Sequence, residues 1–429
     1  MAPPHVKHII FAIPADRHSN ILKPSNFMKP VYIVDALRTP IGKYGGALSS
    51  VRPDDLAAIV IRRIIERNSA IDPTAYDEVI FGCANQAGED NRNVARMSSL
   101  LAGLPASVPA ETVNRLCASG MSAVANAANK IRVGDGDLYI AGGVESMSRA
   151  PYVMAKPSEA FSRAPEMVDT ALGWRFANPK MKELYGVDSM GQTAENVAEQ
   201  YGISREDQDM FAYWSQQKAK HSISSQRFFR EIITIEIQTK KETIVIGDDE
   251  FPKPDTTMEK LAKLNPVFRT DGKGSVTAGN SSGLNDGACA LILASEESVK
   301  KYGLHPIARY STSAVVGVEP RVMGIGPLPA TKKVLAKAGL TIADMSVIEM
   351  NEAFAVQCLA VMRGLGLPDN DSRVNPNGGA IALGHPLGMS GARLITTSAF
   401  ELQEHGGKYA LCTMCIGVGQ GMAVIIEKI

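Results

Sequence analysis

The sequence predicts a pseudo-duplicated α/β fold, in which two similar α/β halves flank an inserted loop domain. Two observations support this prediction. From residue 31 onward, short runs of β-branched residues alternate with helical segments, which is typical of α/β proteins with a mostly buried sheet. Motifs of the first half then return, in the same order and at similar spacing, near the end of the chain.

The composition is that of a globular protein without a charge imbalance. The chain has 429 residues, of which 45% are hydrophobic, and its 45 Lys and Arg residues balance 45 Asp and Glu residues. This balance indicates neither a nucleic-acid nor a membrane partner. The sequence also contains no run of eighteen apolar residues, the length that would be a candidate for spanning a bilayer. The six cysteines lie in apolar segments, as reduced thiols do, so we expect a cytoplasmic protein.

The first 27 residues differ from the rest of the chain. Their apolar patch is short, and no small-residue cleavage site follows it. Met28 is a second plausible start, because a clear strand begins at Val31. We therefore interpret residues 1–27 as a flexible N-terminal extension rather than a transit peptide.

The predicted elements of the first half follow in order from residue 31. Periodicity and capping signals predict strands over 31–36, 78–83 and 137–145, and helices over 54–68 and 93–102.

One cysteine lies where an extended run meets a helix of small residues. Residues 107–113 include β-branched side chains, Cys117 follows, and residues 119–130 favour a helix. Unpaired amides and the helix dipole at such a junction favour an anion by about 0.3–1 kcal/mol, so we expect a thiol shifted toward the thiolate. The alternative is a small buried hydrophobe, the commoner role of a lone cysteine among small residues.

The last third of the chain repeats this order. The echoed segments are 76–86 with 342–353, 113–114 with 374–375, 120–122 with 388–390, and 138–143 with 409–417. We expect a first half formed by residues 28–145 and 276–298, an inserted loop or lid domain over 146–275, and a second half over 299–429.

Polar groups stand at the predicted strand ends of the second half. His385 lies in a glycine-rich bend, Asn351 follows one strand, and Cys415 ends another strand just before Gly417. Equivalent strand ends can direct side chains from both halves into one site. Taken alone, His385 also fits a hydrogen-bonded structural histidine.

Cys412 and Cys415 form a CxxC pair, a pattern that metal and dithiol redox sites also use. No second pair and no nearby histidine pair complete a tetrahedral site. In a strand, an odd spacing directs two side chains to opposite faces. We therefore predict no metal site and no disulfide here.

Four motifs together resemble the thiolase family. They are residues 113–121 (VNRLCASGM), 351–354 (NEAF), 384–388 (GHPLG) and 415–419 (CIGVG), and segments 142–148, 193–198 and 277–286 extend the match over residues 28–429. The resemblance implies a five-layer fold and a CoA-dependent acyltransferase that cleaves a 3-oxoacyl-CoA with free CoA. It also implies CoA and acyl-CoA as substrates, no permanently bound cofactor, and a homodimer or homotetramer.

The same resemblance implies roles for single residues. His385 would deprotonate the Cys117 thiol, and Cys117 would attack the substrate and hold the acyl group as a thioester. Cys415 would protonate the departing acetyl-CoA carbanion and later take the proton of the CoA thiol. The amides of Cys117 and Gly417 would stabilise one oxyanion, and His385 with Asn351 the other. The positions that match contacts to CoA are Met190, Lys253 and Ser282.

The inserted segment most resembles the branch of the family that converts 3-oxoadipyl-CoA to succinyl-CoA and acetyl-CoA. Such a substrate needs a cation for its terminal carboxylate, and the sequence leaves four candidates open: Arg149, Arg163, Arg175 and Lys182. Solvated surface charge is the alternative for all four. The alternative functions are a general fatty 3-oxoacyl-CoA or acetoacetyl-CoA thiolase, a cysteine hydrolase, and a non-catalytic acyl-CoA carrier.

Overall fold

A computed structural model describes residues 28–163 and 165–429. The predicted extension over residues 1–27 lies outside this range. Within the described residues, no helix has both the length and the apolar character needed to cross a membrane.

The first part of the chain forms the elements that its sequence predicts, together with a two-residue strand, β2, that was not predicted. They are β1 (Val31–Arg38), β2 (Gly42–Lys43), α1 (Pro53–Arg67), β3 (Glu78–Gly82), α2 (Val94–Leu101), β4 (Ala110–Val113), α3 (Ser119–Val133) and β5 (Leu138–Ser146). Helix α1 illustrates how local residues start a helix where the sequence predicts one. Pro53 supplies a fixed φ at the first helical position, and Asp54 and Asp55 complement the positive end of the dipole.

The inserted segment contains more helix than its loop signals predict. Its elements are β6 (Tyr152–Met154), β7 (Met167–Asp169), α4 (Pro179–Tyr185), α5 (Met190–Tyr201), α6 (Arg205–Ser224), β8 (Ile235–Gln238), β9 (Thr243–Ile246) and α7 (Met258–Ala262). The strands form two small hairpins, β6–β7 and β8–β9. Helices α5 and α6 pack their apolar faces into a core shared with the second half.

The remaining elements complete both halves. They are β10 (Asn285–Ser295), α8 (Glu296–Tyr302), β11 (Ala308–Gly317), α9 (Pro327–Ala338), β12 (Met345–Met350), α10 (Ala355–Gly364), α11 (Ala380–Leu383), α12 (Leu387–His405), β13 (Tyr409–Ile416) and β14 (Gln420–Glu427). Short 3₁₀ turns also occur, at Pro73–Ala75, Arg227–Arg230, Pro320–Ile325 and Ile342–Asp344.

Strand pairing repeats on the two sides of the sheet. The order is β12-β13-β14-β11-β1-β10-β5-β3-β4, with β1 and β11 antiparallel at the centre. Outward from the centre, β1-β10-β5-β3 and β11-β14-β13-β12 have the same order and the same relative strand directions. Val374 forms a parallel bridge to Ile348, in the place that β4 takes beside β3. The predicted duplication is therefore present in the fold. On the basis of the repeated strand order, we propose that the chain divides into the two halves and the inserted segment that the sequence predicts.

The N-terminal ends of α3 and α12 pack so closely that there is no room for a β-carbon at the glycines where they touch. A β-carbon on Gly120 would lie 2.5 Å from the carbonyl oxygen of Gly388, and one on Gly391 would lie 2.6 Å from the β-carbon of Met121. Only glycine permits this approach. The close packing brings the segments that precede both helices to one region of the molecule.

A buried cation connects β1 to the inserted segment. The guanidinium of Arg38 is fully buried and contacts Glu231 and Asp249 at 2.7 Å each, and these two carboxylates are buried as well. Buried charges are tolerated when each is paired in good geometry. This cluster therefore fixes the inserted segment to the central strand of the sheet.

We predict that Arg38→Leu destabilises the protein by about 3–5 kcal/mol, because it leaves Asp249 buried without a cation and leaves Glu231 with a longer ion pair to Arg227 alone. Thermal and urea unfolding monitored by circular dichroism measure the loss. Arg63→Ala is the control, since Arg63 and Glu66 form an exposed pair that contributes about 1 kcal/mol or less. Equal unfolding midpoints for the two variants would contradict a structural role for the buried cluster.

Candidate active site

Cys117 lies in a sharp bend between β4 and α3, as the sequence predicts. Leu116 adopts the left-handed region with a φ of 47°, which is unusual for a bulky residue. Side-chain hydrogen bonds hold the bend: the Leu116 N–H donates to Asn114 Oδ1 at 2.8 Å, and the Arg115 N–H donates to Ser119 Oγ at 2.9 Å. Strained backbone held in this way is common at functional sites, where it orients a side chain.

The backbone N–H groups of Gly417 and of Cys117 itself favour the charged form of the Cys117 sulfur and so lower its pKa. Burial opposes them more strongly and raises the pKa of Cys117 to about 11. The prediction of a thiol shifted toward the thiolate is therefore wrong for the free protein. Desolvation disfavours the charged form by more than the two amides favour it.

His385 is buried, and both of its ring nitrogens have partners. Nδ1 lies 2.6 Å from Ser390 Oγ, whose hydroxyl donates to the carbonyl of Pro386, so we assign the Nδ1 proton to the contact with Ser390. Nε2 is then the unprotonated nitrogen, 3.3 Å from Nδ2 of Asn351. Burial, with a smaller effect from Arg393, lowers the pKa of His385 to about 3, so the imidazole is neutral near pH 7.

Cys415 lies on β13 and is buried beside Cys117. Its thiol donates to Gln357 Oε1 at 3.7 Å. Burial raises its pKa, and the nearby thiolate form of Cys117 raises it further. Cys412 packs instead in the core around α3 and α12, whereas Cys415 packs in the core around α5 and α10. The predicted divergence of the CxxC pair is confirmed.

A cavity of about 260 Å³ opens at Cys117. Its wall includes Gly417 from the end of β13, Met190 from α5, Leu387 from α12, and residues 170–175 of the inserted segment. Both halves and the insert therefore contribute to one site. The charged residues among those that line it are Glu145 and Arg175.

The three residues that match CoA contacts do not line a single cavity. Met190 lines the Cys117 cavity. Lys253 lines a separate groove of about 440 Å³ that includes Ala278 and Gly279, and its Nζ lies 5.3 Å from the ring centroid of Phe251. Ser282 is partly exposed in the loop after this groove, and its N–H donates to the carbonyl of Ala353 at 3.0 Å.

Two residues of the site, Glu145 and Asn285, were not identified from the sequence. Glu145 is buried, and its carboxylate accepts the N–H groups of Ala84, Asn85 and Gly388 at 2.8–3.0 Å. Burial raises its pKa to about 7. Asn285 accepts the N–H of His385 at 2.9 Å. Both lie in motifs of the family resemblance, which is the signal that could have found them.

One group of buried residues has metal-ligating atoms close together. The atoms of Cys83, Asp90 and Glu145 lie within 4.8 Å of one another. The oxygens of Glu145 already accept three backbone N–H groups, and burial raises the pKa of Cys83 well above its usual value. A metal would have to displace these hydrogen bonds, so we assign none to this cluster.

Comparison with known proteins covers both halves. The family model for the thiolase N-terminal domain matches residues 31–297, and the model for the thiolase C-terminal domain matches residues 304–428. A beta-ketoadipyl-CoA thiolase of Acinetobacter baylyi is 60% identical over 94% of this chain and 100% of its own length. A 3-oxoadipyl-CoA/3-oxo-5,6-dehydrosuberyl-CoA thiolase of Escherichia coli shows the same identity and coverage.

A solved structure has the same fold. Human mitochondrial 3-ketoacyl-CoA thiolase in complex with CoA superposes with a TM-score of 0.86 at 42% identity, over 94% of this chain and 99% of the human one. The sequence identity, the two family models and the shared fold agree, and this chain belongs to the thiolase family.

Proposed function

We propose that the protein cleaves 3-oxoadipyl-CoA with free CoA to give succinyl-CoA and acetyl-CoA. The observation that supports this most directly is the small cavity at Cys117, in a chain 60% identical to two thiolases named for this substrate. Its volume of about 260 Å³ is below the roughly 300–1,000 Å³ of pockets that hold drug-sized ligands. A short acyl group suits a cavity of this size.

In the first half-reaction, the sulfur of Cys117 attacks the 3-keto carbon while Nε2 of His385 takes the thiol proton. The tetrahedral oxyanion collapses and breaks the bond between C2 and C3, which leaves a succinyl thioester on Cys117. The electron pair goes to the acetyl-CoA carbanion, which takes the proton of the Cys415 thiol. The unprotonated Nε2 of His385 and the protonated thiol of Cys415 are the forms that these steps require.

In the second half-reaction, the thiol of free CoA gives its proton to the Cys415 thiolate and attacks the succinyl thioester. Succinyl-CoA leaves, and the Cys117 thiolate recovers its proton from His385. CoA and acyl-CoA are thus substrates, and the proposed contacts to CoA are those of Met190, Ser282 and Lys253.

Two groups of donors would stabilise the oxyanions. We assign the N–H groups of Cys117 and Gly417 to the oxyanion of the acyl intermediate, because both favour negative charge on the Cys117 sulfur. Asn351 lies beside Nε2 of His385, and its buried Oδ1 has no partner among the described residues. We assign Asn351 and His385 to the enolate oxygen, through a water molecule.

Two further parts of the proposal have other grounds. A cytoplasmic location rests on the six cysteines in apolar segments, and a homodimer or homotetramer rests on the family resemblance. A general fatty 3-oxoacyl-CoA or acetoacetyl-CoA thiolase is the second candidate function, and a 3-ketoacyl-CoA thiolase of Pseudoalteromonas translucida at 46% identity supports it. A cysteine hydrolase or an acyl-CoA carrier would not need Cys415.

We expect kcat/KM for 3-oxoadipyl-CoA to exceed the values for acetoacetyl-CoA and for a longer unbranched 3-oxoacyl-CoA. Thiolysis followed by the loss of absorbance of the 3-oxoacyl-CoA measures all three. Mass spectrometry after mixing with succinyl-CoA should find the acyl adduct on Cys117, and Cys117→Ser should lack it. A preference for the unbranched chains would support the second candidate function instead.

We expect Cys415→Ala to lower kcat for thiolysis by about 10²- to 10⁴-fold, the range typical of general acid–base catalysis. Steady-state kinetics measure the loss. Cys412→Ala is the matched control, because Cys412 lies on the same strand but faces the other core. Thiolytic turnover that survives in Cys415→Ala would contradict the role assigned to Cys415. Release of the free acid by Cys415→Ala at the wild-type rate, without transfer to CoA, would favour a cysteine hydrolase.

Alkylation of Cys117 by iodoacetamide should accelerate continuously from pH 7 to pH 10. The reactive species is the thiolate, and with a pKa of about 11 its fraction grows about tenfold with each pH unit in this range. The other five cysteines are buried, so Cys117→Ser reports the background rate. A rate that reaches a plateau below pH 8 would mean that the free protein holds a thiolate after all.

A further inference from the structure

We propose that Arg175 binds the terminal carboxylate of the acyl chain and thereby determines the preference for a dicarboxylic substrate. This inference rests on the proposed function and adds to it the residue that recognises the end of the chain farthest from CoA.

Position separates Arg175 from the other cations of the inserted segment. Arg175 lines the cavity that opens at Cys117. Arg149 forms a two-point ion pair with Glu89, with its Nη2 at 2.6 Å from Oε1. Arg163 and Lys182 are exposed and do not line this cavity. Of the four candidates that the sequence left open, Arg175 is therefore the one that shares a cavity with Cys117.

The guanidinium of Arg175 is held by neutral acceptors on one edge only. Nη1 donates to Asn85 Oδ1 at 3.1 Å and contacts the carbonyl of Thr170 at 3.5 Å, and Nη2 donates to the carbonyl of Asn85 at 3.0 Å. Nε–H and the second Nη2–H have no acceptor among the described residues. These two N–H groups form the other edge of the planar fork, which matches the two oxygens of a carboxylate.

No described carboxylate neutralises Arg175 through an ion pair, although the side chain is half-buried. A cation in such a position gains more from a carboxylate than a fully solvated one, because solvent screens the interaction less. Glu145 also lines the cavity, but its oxygens accept three backbone N–H groups. Arg175 is thus a preformed cationic donor site for an anionic ligand group.

Asn85 fixes the position of Arg175 relative to the reacting centre. Its side-chain and main-chain oxygens hold the guanidinium, while its own N–H donates to Glu145 at 3.0 Å. Glu145 in turn accepts the N–H of Gly388, at the start of α12 and three residues after His385. A continuous set of hydrogen bonds therefore connects the proposed carboxylate site to the helix that follows the histidine.

The test compares 3-oxoadipyl-CoA with 3-oxohexanoyl-CoA, which has the same number of chain carbons and a methyl group in place of the carboxylate. The ratio of their kcat/KM values isolates recognition of the terminal group. We expect Arg175→Gln to lower this ratio by about 10- to 100-fold, as expected for loss of a charge-assisted hydrogen bond. Arg175→Lys keeps the charge but not the fork, so its ratio should lie between those of Arg175→Gln and the wild type.

Arg163→Gln is the matched control, since it removes an exposed cation of the same segment outside the cavity, and its ratio should equal that of the wild type. A ratio that stays unchanged in Arg175→Gln overturns the inference, including the case in which both substrates lose activity equally. A wild-type enzyme that prefers 3-oxohexanoyl-CoA overturns the proposed substrate itself. A wild type that prefers 3-oxoadipyl-CoA, combined with an unchanged ratio in Arg175→Gln, overturns only the role of Arg175.

Discussion

The close approach of α3 and α12 is the constraint on which the site depends. Glycines at the contact let the backbones of the two helices touch, since a β-carbon on Gly120 of α3 would lie only 2.5 Å from the carbonyl oxygen of Gly388 of α12. The two helices come from different halves, and the bends before them hold Cys117 and His385. Glu145 of β5 fixes the start of α12 to the sheet of the first half, because its carboxylate accepts the N–H of Gly388 and those of residues 84 and 85. A wider helix spacing would separate the two groups that the proposed chemistry requires together.

Burial sets the resting charge of this site. It raises the pKa of both thiols and lowers that of His385, so the free protein holds neutral groups at Cys117, Cys415 and His385 near pH 7. In the proposed mechanism, these three groups become charged only as they transfer protons during the reaction, while negative charge develops on the substrate oxygens. Amide donors fixed by the fold are well suited to that task, because they need no reorganisation as the oxyanion forms and act in a medium of low dielectric constant.

Local sequence signals predicted most of the elements around the site. Strand and helix periodicity placed β1, α1, β3 and α3 closely, and the repeated motifs predicted the repeated strand order. The signals were less informative for the inserted segment. Its Pro, Asn and Gly residues indicate loops, yet α5 and α6 are helices whose apolar faces are buried against α10. Tertiary packing stabilises such helices, and it has no signature within the segment itself.

The sequence by itself determined the alternation of elements, the duplication, the family motifs and the divergence of Cys412 and Cys415, because these follow from local periodicity and from residue identity. Only the tertiary structure decided which groups meet. It placed Arg175, of the four candidate cations, in the wall of the Cys117 cavity, paired Ser390 with His385 and Gln357 with Cys415, and reversed the expected pKa shift of Cys117. Burial and long-range contacts are properties of the assembled chain, so a pattern of neighbouring residues does not contain them.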